Sequence, residues 1–169
     1  MASISGFGQS GPLSEKTAFD FIAQAYSGLM HMTGDPDGPP MLIGAGIADT
    51  STGVHAFAAL GYALYRRDRT GEGSHLDIGM VDAMYHMQET AVSGPSLSEG
   101  EVVAMRTGRH YAPASPAGIF KGPKGWIVVF ALENQIANLW AALGSPELAE
   151  DPRFQNNRTR LEYRDDLTE

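Results

Sequence analysis

Asp49 is the carboxylate whose sequence surroundings best suit chemistry. It follows a glycine-rich, strand-like segment, residues 41–48, and it opens a predicted helix through residues 50–53. In open α/β sheets ligands bind at the carboxyl ends of strands, which is where this pattern places Asp49. A helix N-terminus favours the ionised carboxylate and offers N–H donors to an oxyanion, and a carboxylate nucleophile requires both.

The same position also has a purely structural interpretation. An Asp at the N-cap of a helix accepts backbone N–H groups that would otherwise lack a partner, and spacing alone favours this interpretation of Asp49. The two interpretations are compatible, because one helix N-terminus serves both.

Other short motifs point away from common catalytic sites. Residues 6–11 have the spacing G-x-G-x-x-G, but Pro12 follows where a dinucleotide site needs a helix, so we predict a tight strand-to-loop turn near a ligand. The five histidines form no metal-binding spacing and the chain has no cysteine, so we expect no metal. The absence of G-x-S-x-G weakens an α/β-hydrolase assignment.

Composition narrows the class of protein. The 169 residues carry a formal net charge of −8, which argues against a nucleic-acid surface. No apolar run approaches the roughly 18 residues that span a bilayer, so we expect no membrane partner. The first residues lack the pattern of a signal peptide, and the cytoplasm is the expected compartment.

The first half of the chain predicts α/β layers around a mainly parallel sheet. A strand end and loop precede a helix through residues 19–31, with Thr17 as its N-cap. Residues 54–65 are apolar on every side, which predicts a helix buried on every side. The arginines at residues 66, 67 and 69 suit the C-terminus of that helix. A strand at 74–79 and a helix at 80–88 follow.

The second half predicts a small α+β unit. Residues 117–120 and 126–130 flank a five-residue turn and predict a β-hairpin. Helices follow at 135–143, after Ser145-Pro146, and at 157–167. We therefore expect an incomplete large-domain segment at 1–90, a linker at 91–115 and a partial small domain at 116–169.

Taken together, the motifs resemble the family III CoA-transferases, the family of formyl-CoA and carnitine CoA-transferases and of 2-methylacyl-CoA racemases. The resemblance runs over nearly the whole chain. It rests on ISGFGQSGP (4–12), FDFIAQAYSGLM (19–30), TG (33–34), DGPP (37–40), AD (48–49), RTGEG (69–73), DIGMVDA (77–83) and DPRF (151–154).

The resemblance implies both a fold and a site. It implies a Rossmann-like large domain with a small α+β domain, in interlocked homodimers. Asp49 matches the Asp that attacks an acyl-CoA thioester and carries CoA to a free carboxylic acid, and Phe19, Gln9 and Met80 match residues in or beside the CoA-site lining. The family chain is more than twice as long, so we expect this chain to be a middle portion.

Two departures from the family pattern bear on function. Phe19 stands where the racemases carry a His, so the second acid/base needed for epimerisation is missing and the transferase is favoured. Residues 108–116 are Pro- and Ala-rich where transferases often carry a glycine-rich loop, which leaves the acceptor open. The alternatives are a transferase inactive as a truncated chain, a racemase-like enzyme, and a non-catalytic assembly or binding module.

Overall fold

The computed structural model describes residues 1–168 and divides the chain into two compact units, Met1–Arg106 and a second that begins at Thr107. The elements of the first unit are β1 (Ala2–Ser5), α1 (Asp20–Tyr26), α2 (Leu29–Met32), α3 (Ile47–Thr70), β2 (Leu76–Gly79), α4 (Met80–His86) and α5 (Glu89–Leu97). Those of the second are β3 (Ala117–Gly122), β4 (Gly125–Phe130), α6 (Ile136–Ala142) and α7 (Asn157–Glu162), with short 3-10 turns between them.

Two short parallel strands organise the first unit. β1 pairs with β2 from Ala2↔Leu76 to Ser5↔Gly79, and α3 lies in the crossover between them. Because the strands are parallel, the loop after β1 and the start of α4 leave the sheet at the same edge. The chain is therefore a mixed α/β protein with small sheets, as the sequence predicts in outline.

The long helix α3 is buried along one stripe only. The side chains buried on it are Ala48, Ser51, Thr52 and Ala56, which recur at helical spacing. The prediction that residues 54–65 are buried on every side is wrong for this chain, since Phe57 is 80% exposed. Within residues 1–168, α1, α4, β1 and β2 pack on this helix and cover one side of it.

Three local expectations also differ from the structure. Residues 41–46 form a loop and no strand, because Gly44 and Gly46 interrupt the apolar run. The predicted helix through residues 19–31 breaks at Gly28, whose φ of 84° is left-handed. Pro95 lies inside α5, in a stretch expected to be linker; the helix loses one N–H donor there and still continues to Leu97. The domain limits at 90 and 115 stay a prediction.

The second unit follows its turn signals closely. β3 and β4 form the predicted antiparallel hairpin, with Gly122 paired to Gly125, so the turn has two residues instead of five. α6 ends before Gly144, whose φ is 79°. Ser145 precedes a 3-10 turn with Pro at its start, and Asn156 caps α7 by accepting from the Thr159 N–H at 3.1 Å.

Each unit has its own core. The first core comprises Ala23, Ala48, Met80 and Met84, and the second comprises Ile136, Trp140 and Phe154. None of the helices in residues 1–168 combines the length and apolarity needed to cross a membrane.

Candidate active site

Asp49 lies in the first turn of α3 and is not its cap. The helix begins at Ile47 with Gly46 at the N-cap, so Asp49 is the third helical residue and the N-cap interpretation is wrong. The residue is exposed, and among residues 1–168 no hydrogen bond reaches its carboxylate. The N-terminal end of a helix stabilises negative charge, so this carboxylate is placed where it is electrostatically favoured and open to a ligand.

The cap of α3 comes from a different helix. Asp20, the first residue of α1, is only 7% exposed, and its Oδ1 accepts the N–H of Ala48 at 2.6 Å and that of Asp49 at 3.2 Å. The prediction of Thr17 as N-cap of the first helix is wrong, since α1 begins after Phe19 and has no side-chain cap. The Asp20 carboxylate instead satisfies two N–H groups at the start of α3.

Gln24 completes this buried network one turn further along α1. Its side chain is fully buried; Nε2 donates to Asp20 Oδ2 at 2.5 Å, and Oε1 accepts the N–H of Ile43 at 3.2 Å. A longer contact of 3.4 Å joins Nε2 to the carbonyl of Ala45. The glycine-rich loop before α3 is therefore tied to α1 at both ends.

Asp20 and Gln24 were not predicted as members of the site, because their spacing places both outside the apolar face of the predicted helix. The available signal is their i, i+4 spacing on either side of the buried Ala23, next to a glycine-rich loop whose N–H groups need acceptors.

Phe19 and Met80 lie close to the turn that bears Asp49. Phe19 directly precedes Asp20 and is 81% exposed, so its ring is open at the surface. Met80, the first residue of α4, packs in the core cluster with Ala48 and is buried beneath the turn. Their roles as pocket walls stay a prediction.

Gln9 lies in the loop that follows β1. Its N–H donates to Asp77 Oδ2 at 2.8 Å, and its side chain is exposed. The carbonyl of Gly6 accepts the N–H of Val81 at 3.1 Å, which holds this loop against the start of α4. The structure thus places Gln9 in the loop at the carboxyl edge of the sheet, bonded to Asp77 of β2, and its binding role stays a prediction.

The glycines of this loop are required by its geometry. A Cβ on Gly6 would collide with the Cβ of Ala18, and Gly8 has a φ of 84°. The tight strand-to-loop turn predicted for residues 6–11 is therefore confirmed, and it ends at the same sheet edge as β2. Among residues 1–168, no group of three His, Cys, Asp or Glu side chains is placed to hold a metal ion.

Comparison with known proteins identifies the family that the chain matches. The family model described as CoA-transferase family III matches residues 1–169. The acetyl-CoA:oxalate CoA-transferase of Acetobacter aceti is 39% identical over 168 residues, covering 98% of this chain and 43% of that protein. The succinyl-CoA–D-citramalate CoA-transferase of Chloroflexus aurantiacus is 37% identical over 171 residues, covering 99% and 42%.

A solved structure is similar over the same extent. A CaiB/BaiF family protein from Brucella suis superposes with a TM-score of 0.79 at 33% identity, covering 99% of this chain and 44% of that chain. This chain therefore spans less than half the length of these relatives.

Proposed function

This chain belongs to CoA-transferase family III, and on that premise we propose that it moves CoA from an acyl-CoA thioester to a free carboxylic acid, with Asp49 as the nucleophile. The observation that carries the proposal is the Asp49 carboxylate itself, which is exposed and free of hydrogen bonds within residues 1–168. A carboxylate in that state keeps its lone pairs available for attack on a carbonyl carbon.

The reaction proceeds by two exchanges at Asp49. Attack on the thioester carbonyl breaks its C–S bond, releases the CoA thiolate and leaves an acyl-aspartyl anhydride. The thiolate then attacks the aspartyl carbonyl, which releases the donor acid and forms an aspartyl-CoA thioester. The acceptor carboxylate repeats both steps in reverse and leaves as its CoA thioester, which restores Asp49. No proton or electron is consumed overall.

Three further residues have proposed roles around this carboxylate. The exposed ring of Phe19 forms one wall for the thioester, and Gln9 contributes a polar amide from the loop after β1. Met80 supports the floor beneath the first turn of α3. The parallel β1–β2 pair supports the matching proposal that the first unit belongs to a Rossmann-like domain. The homodimer is proposed from the family alone, and the cytoplasm is proposed as its compartment.

Trapping of the intermediates tests the role of Asp49. The chain is incubated with acetyl-CoA or succinyl-CoA and then with hydroxylamine, and peptides are mapped by mass spectrometry. We expect a hydroxamate on Asp49 in the wild type and in the control variant Asp68→Asn, which changes an exposed Asp at the other end of α3, and none in Asp49→Asn. If Asp49 stays unmodified and calorimetry detects no CoA binding, the proposal that this chain is catalytic is wrong, and a non-catalytic module is favoured.

A racemase-like activity makes a different prediction. Proton exchange at the α-carbon of a 2-methylacyl-CoA needs a second acid/base, and Phe19 has no titratable group. We therefore expect no deuterium at that carbon after incubation in heavy water. Incorporation that depends on Asp49 would replace the transferase proposal with the racemase.

A further inference from the structure

We propose that Asp20 is a positioning residue for the reaction: its buried carboxylate fixes the first turn of α3 and so sets where the Asp49 carboxylate points. The inference rests on the proposed function of Asp49. It concerns a group that need not touch substrate, since it acts through the backbone amides of Ala48 and Asp49.

The surroundings of Asp20 are unusual for a buried charge. Burying an ionised carboxylate is costly unless it is paired or hydrogen-bonded, and within residues 1–168 no Lys, Arg or His forms an ion pair with Asp20. Its charge is instead balanced by the N–H groups of Ala48 and Asp49, the amide of Gln24 and the N-terminal end of α3. Apart from the Gln24 amide, which lies on α1, the groups that stabilise this carboxylate belong to the turn that carries Asp49.

A cap supplied from outside the helix has a mechanical consequence. Most helices are capped by their own N-cap side chain, but Gly46 has none, and a Cβ built there would lie 3.9 Å from Asp20 Oδ1. Asp20 therefore supplies from α1 the acceptor that an N-cap side chain would supply within α3. The position of Asp49 then depends on the packing of α1 against α3, and not on the loop that leads into α3.

The same arrangement keeps Asp49 free. An Asp in the first turn of a helix can turn back to accept a nearby N–H group, which would engage the oxygen needed for attack. Here the N–H groups of Ala48 and Asp49 are already taken by Asp20. Asp20 thus occupies two local donors that could otherwise compete for the nucleophile.

Two variants of Asp20 separate positioning from general stability. Asp20→Ala removes the oxygen that accepts both N–H groups. Asp20→Asn keeps a carbonyl oxygen that can accept the same N–H groups and loses only the acceptor of the Gln24 amide. The matched control is Asn156→Ala, which removes the side-chain cap of α7 in the second unit. All three are measured as full chains with acetyl-CoA, at temperatures where each is folded by circular dichroism.

The first readout is the rate of hydroxylamine-trapped adduct on Asp49 as a function of acetyl-CoA concentration. In Asp20→Ala we expect the saturating rate to fall about 100-fold, since misplacement of a reacting group by an ångström costs that much, with the half-saturating concentration little changed. We expect Asp20→Asn to recover most of this loss and Asn156→Ala to leave the rate unchanged. Should Asp20→Ala fail to fold, Asp20→Glu replaces it, since its longer arm displaces the cap, and we expect a fall of about 10-fold.

The second readout, amide hydrogen exchange at Ala48 and Asp49, does not depend on activity. We expect both amides to exchange at least about 10-fold faster in Asp20→Ala, or in Asp20→Glu if that variant replaces it, than in wild type or Asn156→Ala. A wild-type adduct whose rate is insensitive to Asp20 would overturn the inference and leave the proposed function standing. If the wild type forms no adduct but amide exchange still depends on Asp20, only the proposed function is overturned. If amide exchange at Ala48 and Asp49 does not change in the Asp20 variants, Asp20 does not position the turn, whether or not an adduct forms.

Discussion

Within residues 1–168, each of the two units buries one charged side chain, and the two are satisfied in opposite ways. In the first unit, Asp20 accepts N–H groups at the start of α3. In the second, Arg160 is 1% exposed and donates to the carbonyls of Ser115 at 2.7 Å and Phe154 at 2.9 Å and to the carboxylate of Glu133 at 2.5 Å. The Asp20 carboxylate is therefore surrounded by hydrogen-bond donors, and the Arg160 guanidinium by hydrogen-bond acceptors.

The difference lies in what each charge holds. Arg160 has a carboxylate partner, Glu133. It also joins Ser115, in the segment before β3, to Phe154 of the core, so it holds the second unit together. Asp20 has no cation partner within residues 1–168, and it holds the turn that presents the exposed Asp49 carboxylate. A buried charge that bonds the backbone of a neighbouring element fixes the position of that element. Asp20 fixes the turn that carries the proposed nucleophile, whereas Arg160 fixes segments around a hydrophobic core.

The largest expected effect separates chemistry from stability at Asp49. Asp49→Asn keeps the size of the side chain and removes the nucleophile, so CoA transfer should fall by at least about 10³-fold. Because Asp49 is exposed and free of hydrogen bonds within residues 1–168, the free energy of unfolding should change by less than about 0.5 kcal/mol. Transfer assays and urea unfolding check the two halves; retained transfer would contradict the assignment.

Next in size is the loss of the buried guanidinium. Arg160→Met leaves the carbonyls of Ser115 and Phe154 without their donor in a buried site, and we expect about 3 kcal/mol less stability in the second unit. Denaturant unfolding followed by Trp140 fluorescence measures the change. An equal loss of stability in the first unit would contradict the interpretation that Arg160 stabilises only the second unit.

A smaller effect is expected from the buried carboxylate. Asp20→Ala removes the acceptor of two helix N–H groups, and we expect about 2 kcal/mol of destabilisation, against about 1 kcal/mol for Asn156→Ala, which removes the acceptor of one. Thermal unfolding of the two variants side by side gives the comparison. A cost for Asp20→Ala no greater than that for Asn156→Ala would mean that Asp20 is an ordinary cap.

The smallest effect concerns pH in the second unit. Burial, and then the nearby charges of Arg164 and Arg109, lower the pKa of His110 below its ordinary value. The folded state therefore binds fewer protons than the unfolded state, so this contribution to stability is full above the unfolded pKa near 6.5 and is lost as the pH falls below it. We expect His110→Gln to flatten a melting-temperature profile measured from pH 8 to 5, and an unchanged slope would contradict the assignment.

The sequence predicts those features of the fold and the site whose physical cause lies within a few neighbouring residues. The β3–β4 hairpin, the end of α6 at Gly144 and the 3-10 turn opened by Ser145 all follow from turn chemistry within a few residues, and each was predicted. The prediction for Asp49, which stays a prediction, also starts from local sequence, because Asp49 lies between a glycine-rich segment and an apolar helix.

The errors concern contacts between distant residues. The cap of α3 comes from Asp20, 29 residues before Asp49. The spacing of Asp20 and Gln24 signals that α1 offers acceptors, but no local pattern identifies α3 as the helix that Asp20 caps. The exposure of Phe57 was missed for a similar reason: apolar periodicity indicates that a face can be buried but does not identify the element that covers it. A single sequence therefore predicts local structure, but it does not predict which distant residues contact each other.

The most direct measurement of the central claim is the transfer of oxygen to Asp49. In the proposed cycle the donor acid leaves with one oxygen of the Asp49 carboxylate, and the acceptor acid replaces it with one of its own. Incubation with acetyl-CoA and an ¹⁸O-labelled carboxylic acid should therefore place ¹⁸O in the peptide that contains Asp49, and in no other, with Asp49→Asn as the control. CoA transfer without label in that peptide, or no label under conditions where CoA binds, would contradict the account.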